Sequence, residues 1–159
     1  MYDGIDLQIL NILQHDARTP NVEIARQLGM APSAILERVR KLEARGVITG
    51  YEARLAPRPL QQGLLAFIFV NADERYGQQD VGRQLAAIPE VQEVHHITGE
   101  DCYLVKMRAA DTDALGRILR ERFGAIESIR STRTTIVLSS LKETAQLPLA
   151  VLDEEQAHD

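Results

Sequence analysis

Four basic side chains, Arg38, Arg40, Lys41 and Arg45, fall within residues 33–45 against two acids, Glu37 and Glu43. Guanidinium and ammonium groups suit phosphates and guanine edges, a serine hydroxyl suits either, and a carboxylate can accept from the amino group of cytosine. If the stretch is helical, a turn of about 100° per residue puts Ile35, Val39 and Leu42 on one buried line. Ser33, Glu37, Arg40 and Lys41 then point away from that line, with Ala34 and Arg38 on one flank. These six residues are the candidates for contact with double-stranded DNA. The same charges also describe a plain solvated helix surface.

A second group, His95, His96, Asp101 and Cys102, invites a metal reading. Neighbours on a strand point to opposite faces, so the two histidines are poorly placed to share one ion, and no metal or other cofactor is expected. Cys102 has no His and Asp at triad spacing and reads as a small buried hydrophobe. As the single cysteine, it allows neither an intrachain disulfide nor a CxxC motif. No catalytic residues are assigned, and the chain is expected not to be an enzyme.

The elements that must position these groups follow from periodicity. Ile5, Ile9, Ile12 and Leu13, with Leu10, recur at helical spacing until Asp16 and the Thr19–Pro20 pair. From Asn21 a second short helix places Val22, Ala25 and Leu28 on one face and stops at Gly29. Pro32 opens a third, carrying Ile35, Leu36, Val39 and Leu42 inward and ending at Gly46. Three helices with a tight second turn make a helix-turn-helix, and VITGYEARL after them reads as a strand or small hairpin, a wing.

Pro57, Pro59 and Gly63 break the periodicity. Residues 1–50 are therefore assigned to a winged helix-turn-helix domain and 51–63 to a linker strand. Beyond it come strands at 64–70, 91–97, 102–108 and 126–141, with helices near 78–88 and 112–123, the second N-capped by Asp111. The order βαββαβ predicts a ferredoxin-like domain over 64–142, so the fold class is α+β. Residues 143–159 are left as a tail, its last part, Val151–Asp159, acidic and solvated. LLAFIFV and TIVL do not alternate apolar with polar, which predicts cover on both sheet faces. Helices cover one; the second is assigned to the same sheet of another subunit, giving a symmetric homodimer.

Bulk composition agrees with a folded chain that binds. Of 159 residues 45% are hydrophobic and 26% charged. No apolar run approaches the roughly 20 residues that cross a bilayer, and Met1–Asp6 lacks the regions of a signal peptide, so a cytoplasmic protein is expected. The net charge of −5 lies in the second part: residues 1–50 hold six acids and six bases, the remainder 17 acids and 12 bases.

Residues 1–56 resemble the winged helix-turn-helix of the Lrp/AsnC family of feast/famine regulators, through DLQILNILQHDARTPNVEIARQLGM and ILERVRKLEARGVITGY. The resemblance continues through VQEVHHITGEDCYLVKM, STRTTIVLSSLK and LPL, about residues 3–149 in all. It implies a homodimer, often assembled to an octamer, that binds partly palindromic DNA and responds to a small effector, usually an amino acid. By the same resemblance, effector binds between subunits near Gly99, Glu100, Asp101 and Tyr103, with Thr132, Arg133 and Thr134 of the last strand close by. Gly99 would admit a ligand near backbone, Asp101 or Glu100 could take an α-amino group, and an arginine or backbone N–H the carboxylate. A plain hairpin turn is the other reading of the loop.

One departure is Ala31, where the family usually carries a serine. The recognition helix thereby loses a capping hydroxyl worth roughly 1 kcal/mol, and Ser33 is the alternative cap, with a later helix start. Two other functions fit the architecture: an enzyme of the sirohaem-decarboxylase type, and an interaction or metabolite-binding module that meets no DNA. The first needs basic residues around a tetrapyrrole, where this chain offers the acidic turn TGED. The second predicts binding insensitive to salt.

Overall fold

The computed structural model describes residues 2–75 and 77–150; the acidic stretch Val151–Asp159 lies outside the described residues. The chain divides into two compact units, Met1–Arg54 together with the segment from Glu143 onward, and Leu55–Lys142.

The first unit is three helices. α1 (Gly4–His15) is capped by Asp3, whose Oδ1 accepts from the Asp6 amide at 2.8 Å. α2 (Asn21–Leu28) ends at Gly29 in the left-handed region, φ 64°, which lets the amides of Gly29 and Met30 both turn back to the Ala25 carbonyl. α3 (Pro32–Ala44) follows at once, with Pro32 at its first position. Ile9, Leu13, Ile24, Ala25, Ile35, Val39 and Leu42 form the core of the unit.

Several expectations are corrected here. Ala25 is buried in α2 as expected, but Ile24 and not Val22 joins it; Val22 is 66% exposed, because packing between α1 and α3 selects the face and a two-turn helix offers more than one apolar line. Leu36 is 37% exposed, on the shoulder of α3 instead of inside. Ala31 is the cap residue of α3 and makes no side-chain bond, so the helix starts at Pro32 and Ser33 does not cap it. The stretch 47–56 forms no strand: a ladder needs a partner, and no strand of the first unit among the described residues supplies one. The expected wing is a segment without regular secondary structure, whose Tyr51 hydroxyl donates to Glu43 Oε1 at 2.8 Å.

The second unit carries β1 (Leu64–Ala72), α4 (Asp80–Ala86), β2 (Val91–His96), β3 (Tyr103–Ala109), α5 (Thr112–Ile118) and β4 (Ile129–Ile136), the expected βαββαβ order. Asp111 caps α5 through the Ala114 amide, and α5 is prolonged by a wider π turn over Leu119–Phe123. β4 is shorter than the expected 126–141; Ile126 turns inward before it, and past Val137, whose amide donates to Leu65 O, no further ladder bond forms.

The sheet order is β2-β3-β1-β4, antiparallel throughout. Ala66, Ile68 and Val70 of β1 and Tyr103, Val105, Met107 and Ala109 of β3 pack with Val81 and Leu85 of α4 and Leu115 and Ile118 of α5. Both helices thus lie on one face. Alternation sends Leu65, Phe67 and Phe69 to the other, in register with Arg108, Lys106 and Leu104. That second face carries no helix of its own unit.

Candidate DNA-reading helix and effector loop

α3 sorts its polar residues by partner. Arg38 reaches back to α1, where Nη1 lies 2.7 Å from Asp3 Oδ2 and 2.7 Å from Asp6 Oδ1. The amide of Asp6 and then the Arg38 guanidinium hold the Asp3 carboxyl below its ordinary range. Lys41 pairs with Glu37 at 2.7 Å along the exposed surface, which lowers the Glu37 carboxyl in turn. Arg40 has no hydrogen-bond or ion-pair partner among the described residues. It borders a groove lined by Thr19, Asn21, Leu36 and Tyr51, none of which the charge pattern singled out. Ser33 is exposed and Ala34 half-buried at the start of the helix. Ser33, Glu37, Arg40 and Lys41 are thus open or held only by a solvent-exposed pair, whereas Arg38 is committed within the unit.

The loop between β2 and β3 turns at Gly99, φ 118°, a conformation other residues adopt with strain. It is anchored from β1: Asn71 Nδ2 donates to the Glu100 carbonyl at 2.6 Å, and the Cys102 amide donates to Val70 O at 2.8 Å. Asn71 had no signal in the sequence beyond its place at a strand end. The Asp101 carboxylate meets Arg133 of β4 at 3.2 Å, and the Arg133 guanidinium also lies 4.1 Å over the Phe69 ring.

The seven effector candidates do not share one face. Arg133 is in register with Phe69 and stands on the helix-free side. Thr132 and Thr134 are in register with Val70 and Ile68 and point to the helix side, where Thr132 lines a groove with Phe123 and Ile129. Tyr103 is 2% exposed in the core, its hydroxyl donating to Glu74 Oε2 at 2.6 Å. What the structure brings together is Gly99, Glu100, Asp101 and Arg133. The two histidines face different partners: His95 Nε2 lies 3.0 Å from Glu93 Oε2, and the His96 ring packs on Tyr103 at 5.3 Å.

Comparison with known proteins follows the same division. Residues 3–43 match the AsnC-type helix-turn-helix domain, and residues 65–147 the Lrp/AsnC ligand binding domain. The leucine-responsive regulatory proteins of Salmonella typhimurium and Escherichia coli K12 are each 38% identical over 149 residues, covering 91% of this chain and 90% of theirs. Among solved structures, a Neisseria meningitidis transcriptional regulator in complex with L-Met superposes with a TM-score of 0.87 at 30% identity, over 94% of this chain and 97% of that one. E. coli AsnC superposes at 0.86 and 30% identity, over 93% and 99%. A feast or famine regulatory protein of M. tuberculosis complexed with L-methionine gives 0.84 at 33% identity, over 91% and 97%. A three-helix reading head and a βαββαβ unit, matched in sequence and in structure across nearly the whole length, make this chain a member of the Lrp/AsnC family of transcriptional regulators.

Proposed function

We propose that this regulator is a homodimer, assembling further to an octamer, that reads two DNA half-sites through α3 and whose grip on them is set by a bound amino acid. It acts by binding, without a catalytic step, in the cytoplasm. The observation that carries the reading is the sorting of charge on α3. With Arg38 spent on α1, Arg40 is an unpaired cation on the exposed side, and Lys41 gives up only a solvated surface pair to reach a phosphate. Ser33, Ala34 and Glu37 sit nearer the N-terminal part of the helix, where a helix in the major groove meets base edges.

The dimer is formed through the helix-free sheet face. Phe67, Phe69 and Leu104 stand there, each only half-buried in the single chain. A single chain covers these side chains only in part; a second copy, two-fold related, buries the rest. Such a dimer presents its two recognition helices about 34 Å apart, one helical turn of DNA.

The effector reading rests on Asp101 and Arg133. An amino acid carries an ammonium and a carboxylate, so it can exchange the 3.2 Å internal pair for one contact to each partner beside the permissive Gly99. L-methionine is the ligand in two of the related structures.

The test is selection of genomic fragments by the purified protein and by Arg40→Ala and Lys41→Ala, at two salt concentrations. A roughly palindromic motif, weakened in both variants and by salt, is the expected result. Recovery of random DNA, or binding indifferent to salt, would overturn it and favour a protein-interaction module.

A further inference from the structure

The chain leaves its first unit after Arg54 and comes back to it after Lys142, so the segment that follows β4 ends on the same body as α3. Gln14 is the centre of the contacts that hold it there. Gln14 Oε1 accepts from the Leu147 amide at 3.0 Å, and Gln14 Nε2 donates to the Leu147 carbonyl at 2.8 Å. The primary amide therefore satisfies both main-chain groups of one residue, as a neighbouring strand would. Gln146 Nε2 adds a bond to the Gln14 carbonyl at 3.0 Å. Asn11 orients the arrangement, its Oδ1 accepting from Gln14 Nε2 at 3.0 Å and its Nδ2 donating to Leu149 O at 3.4 Å.

This attachment is directional and separable from the core. Leu147 is 67% exposed, so main-chain bonds and not burial of its side chain hold the segment. None of the core residues of the unit belongs to it. At its other end the segment is continuous with β4, which carries Arg133. Five residues, Leu138–Lys142, separate the last bond to the sheet at Val137 from Glu143, a span of at most about 22 Å when extended.

We propose that the Gln14–Leu147 latch is a second tether, beside the connection through residues 55–63, through which the sensing unit restrains the reading head. The role rests on the regulator reading above. A head on one nine-residue connection, residues 55–63, ranges over a large volume; a second attachment closes a loop and removes most of that freedom. In a dimer the gain falls on the second head, whose effective concentration at its half-site rises once the first is bound. The latch thus acts on two-site binding and leaves single-site binding alone. It also gives a movement of β4 a short covalent route to α1.

The experiment compares wild type, Gln14→Ala, which removes both side-chain bonds to Leu147, and Leu147→Pro, which removes the amide donor of one of them, on DNA bearing one half-site or two. Two-site affinity should fall about tenfold in both variants while one-site affinity is unchanged. Equal losses on both DNAs, or no loss on either, would overturn the proposal. Hydrogen exchange on the same full-length proteins reads the latch without DNA: the Leu147 amide should be protected in wild type and exchange freely in Gln14→Ala, and an unprotected wild-type amide would refute the latch. Wild type that prefers no two-site DNA while Leu147 is protected would refute the regulator reading, and the tether's role with it, but not the latch.

Discussion

The Tyr103 hydroxyl donates to Glu74 Oε2 at 2.6 Å, and the other oxygen of that carboxylate accepts from the Val81 amide at 2.7 Å. One acid therefore joins β3 to the first turn of α4, which has no side-chain cap of its own at Gln79. Burial, and then the hydrogen bond to Glu74, push the Tyr103 phenol up to about 12 from an ordinary 10.0. A folded-state value above the unfolded one means that the associated stability is complete below pH 10 and is lost as pH rises through about 12.

Tyr103→Phe should lower the stability of the second unit at neutral pH by about 1–2 kcal/mol and remove the alkaline loss. Tyr51 is also raised to about 12, by burial and by Glu43, so the comparison belongs in a Tyr51→Phe background. Urea unfolding between pH 8 and about 12 is the measurement. A Tyr103→Phe protein that loses stability with pH as steeply as its parent would show that the Tyr103–Glu74 bond is not the source.

Gly82 of α4 marks how tightly that ring is seated. A Cβ there would stand 2.7 Å from Tyr103 Cε1 and 3.1 Å from Cζ, and the buried ring cannot retreat without disturbing its bond to Glu74. Alanine's helix preference, about 1 kcal/mol over glycine, is outweighed by overpacking of about 1–3 kcal/mol. Gly82→Ala should therefore destabilise the protein, and in a Tyr103→Leu background the same change should become neutral or favourable. Thermal unfolding of the four proteins of this cycle decides it; additive effects would separate Gly82 from the ring.

What could be read from the sequence was local. Stop signals at Gly29 and Gly46, Pro32 at a helix start, the Asp111 cap and the βαββαβ order depend on neighbours in the chain, and the structure has them where expected. What could not be read depends on partners far away in the chain. Val22 and Ile24 are both apolar, and only the packing of α1 and α3 decides which is buried. VITGYEARL has strand residues but no strand to pair with. Arg38 and Arg40 look alike in the sequence, and it takes Asp3 and Asp6, over thirty residues upstream, to tell them apart. Gln14 gave no sign that it would meet Leu147, 133 residues on.

The difference between those two arginines is testable. Arg38→Gln breaks the bridges to Asp3 and Asp6 and should cost the first unit about 1 kcal/mol, solvent screening keeping the effect small. Because Asp3 is held below its ordinary 3.8, the stability it contributes is present above that value and is lost as pH falls through its lower folded-state value; the variant should lack that acid sensitivity. Arg40→Ala should leave stability unchanged, weaken DNA binding several-fold, and reduce the dependence of log affinity on log salt by about one. Paired denaturation and binding titrations would reject the assignment if Arg40→Ala lowered stability and Arg38→Gln alone lowered the salt slope.

The effector loop offers a sharper test, because Asp101 and Arg133 are bonded to each other before any ligand arrives. If an amino acid exchanges this pair, each residue supplies one ligand contact, and each single substitution also frees its former partner. Asp101→Asn removes the acceptor for the ammonium, Arg133→Ala the donor to the carboxylate and the cation over Phe69. Each should weaken L-methionine binding at least about tenfold, a loss typical of a charged hydrogen bond. The double variant should lose more than the product of the two, since relief from separating the internal pair offsets part of each single loss and is gained only once in the double. Calorimetric titration of the four proteins, with dimerisation followed in parallel, separates loss of ligand contact from loss of the sheet interface. Independent, multiplicative losses would mean that the ligand leaves the Asp101–Arg133 pair intact and is held elsewhere on the loop.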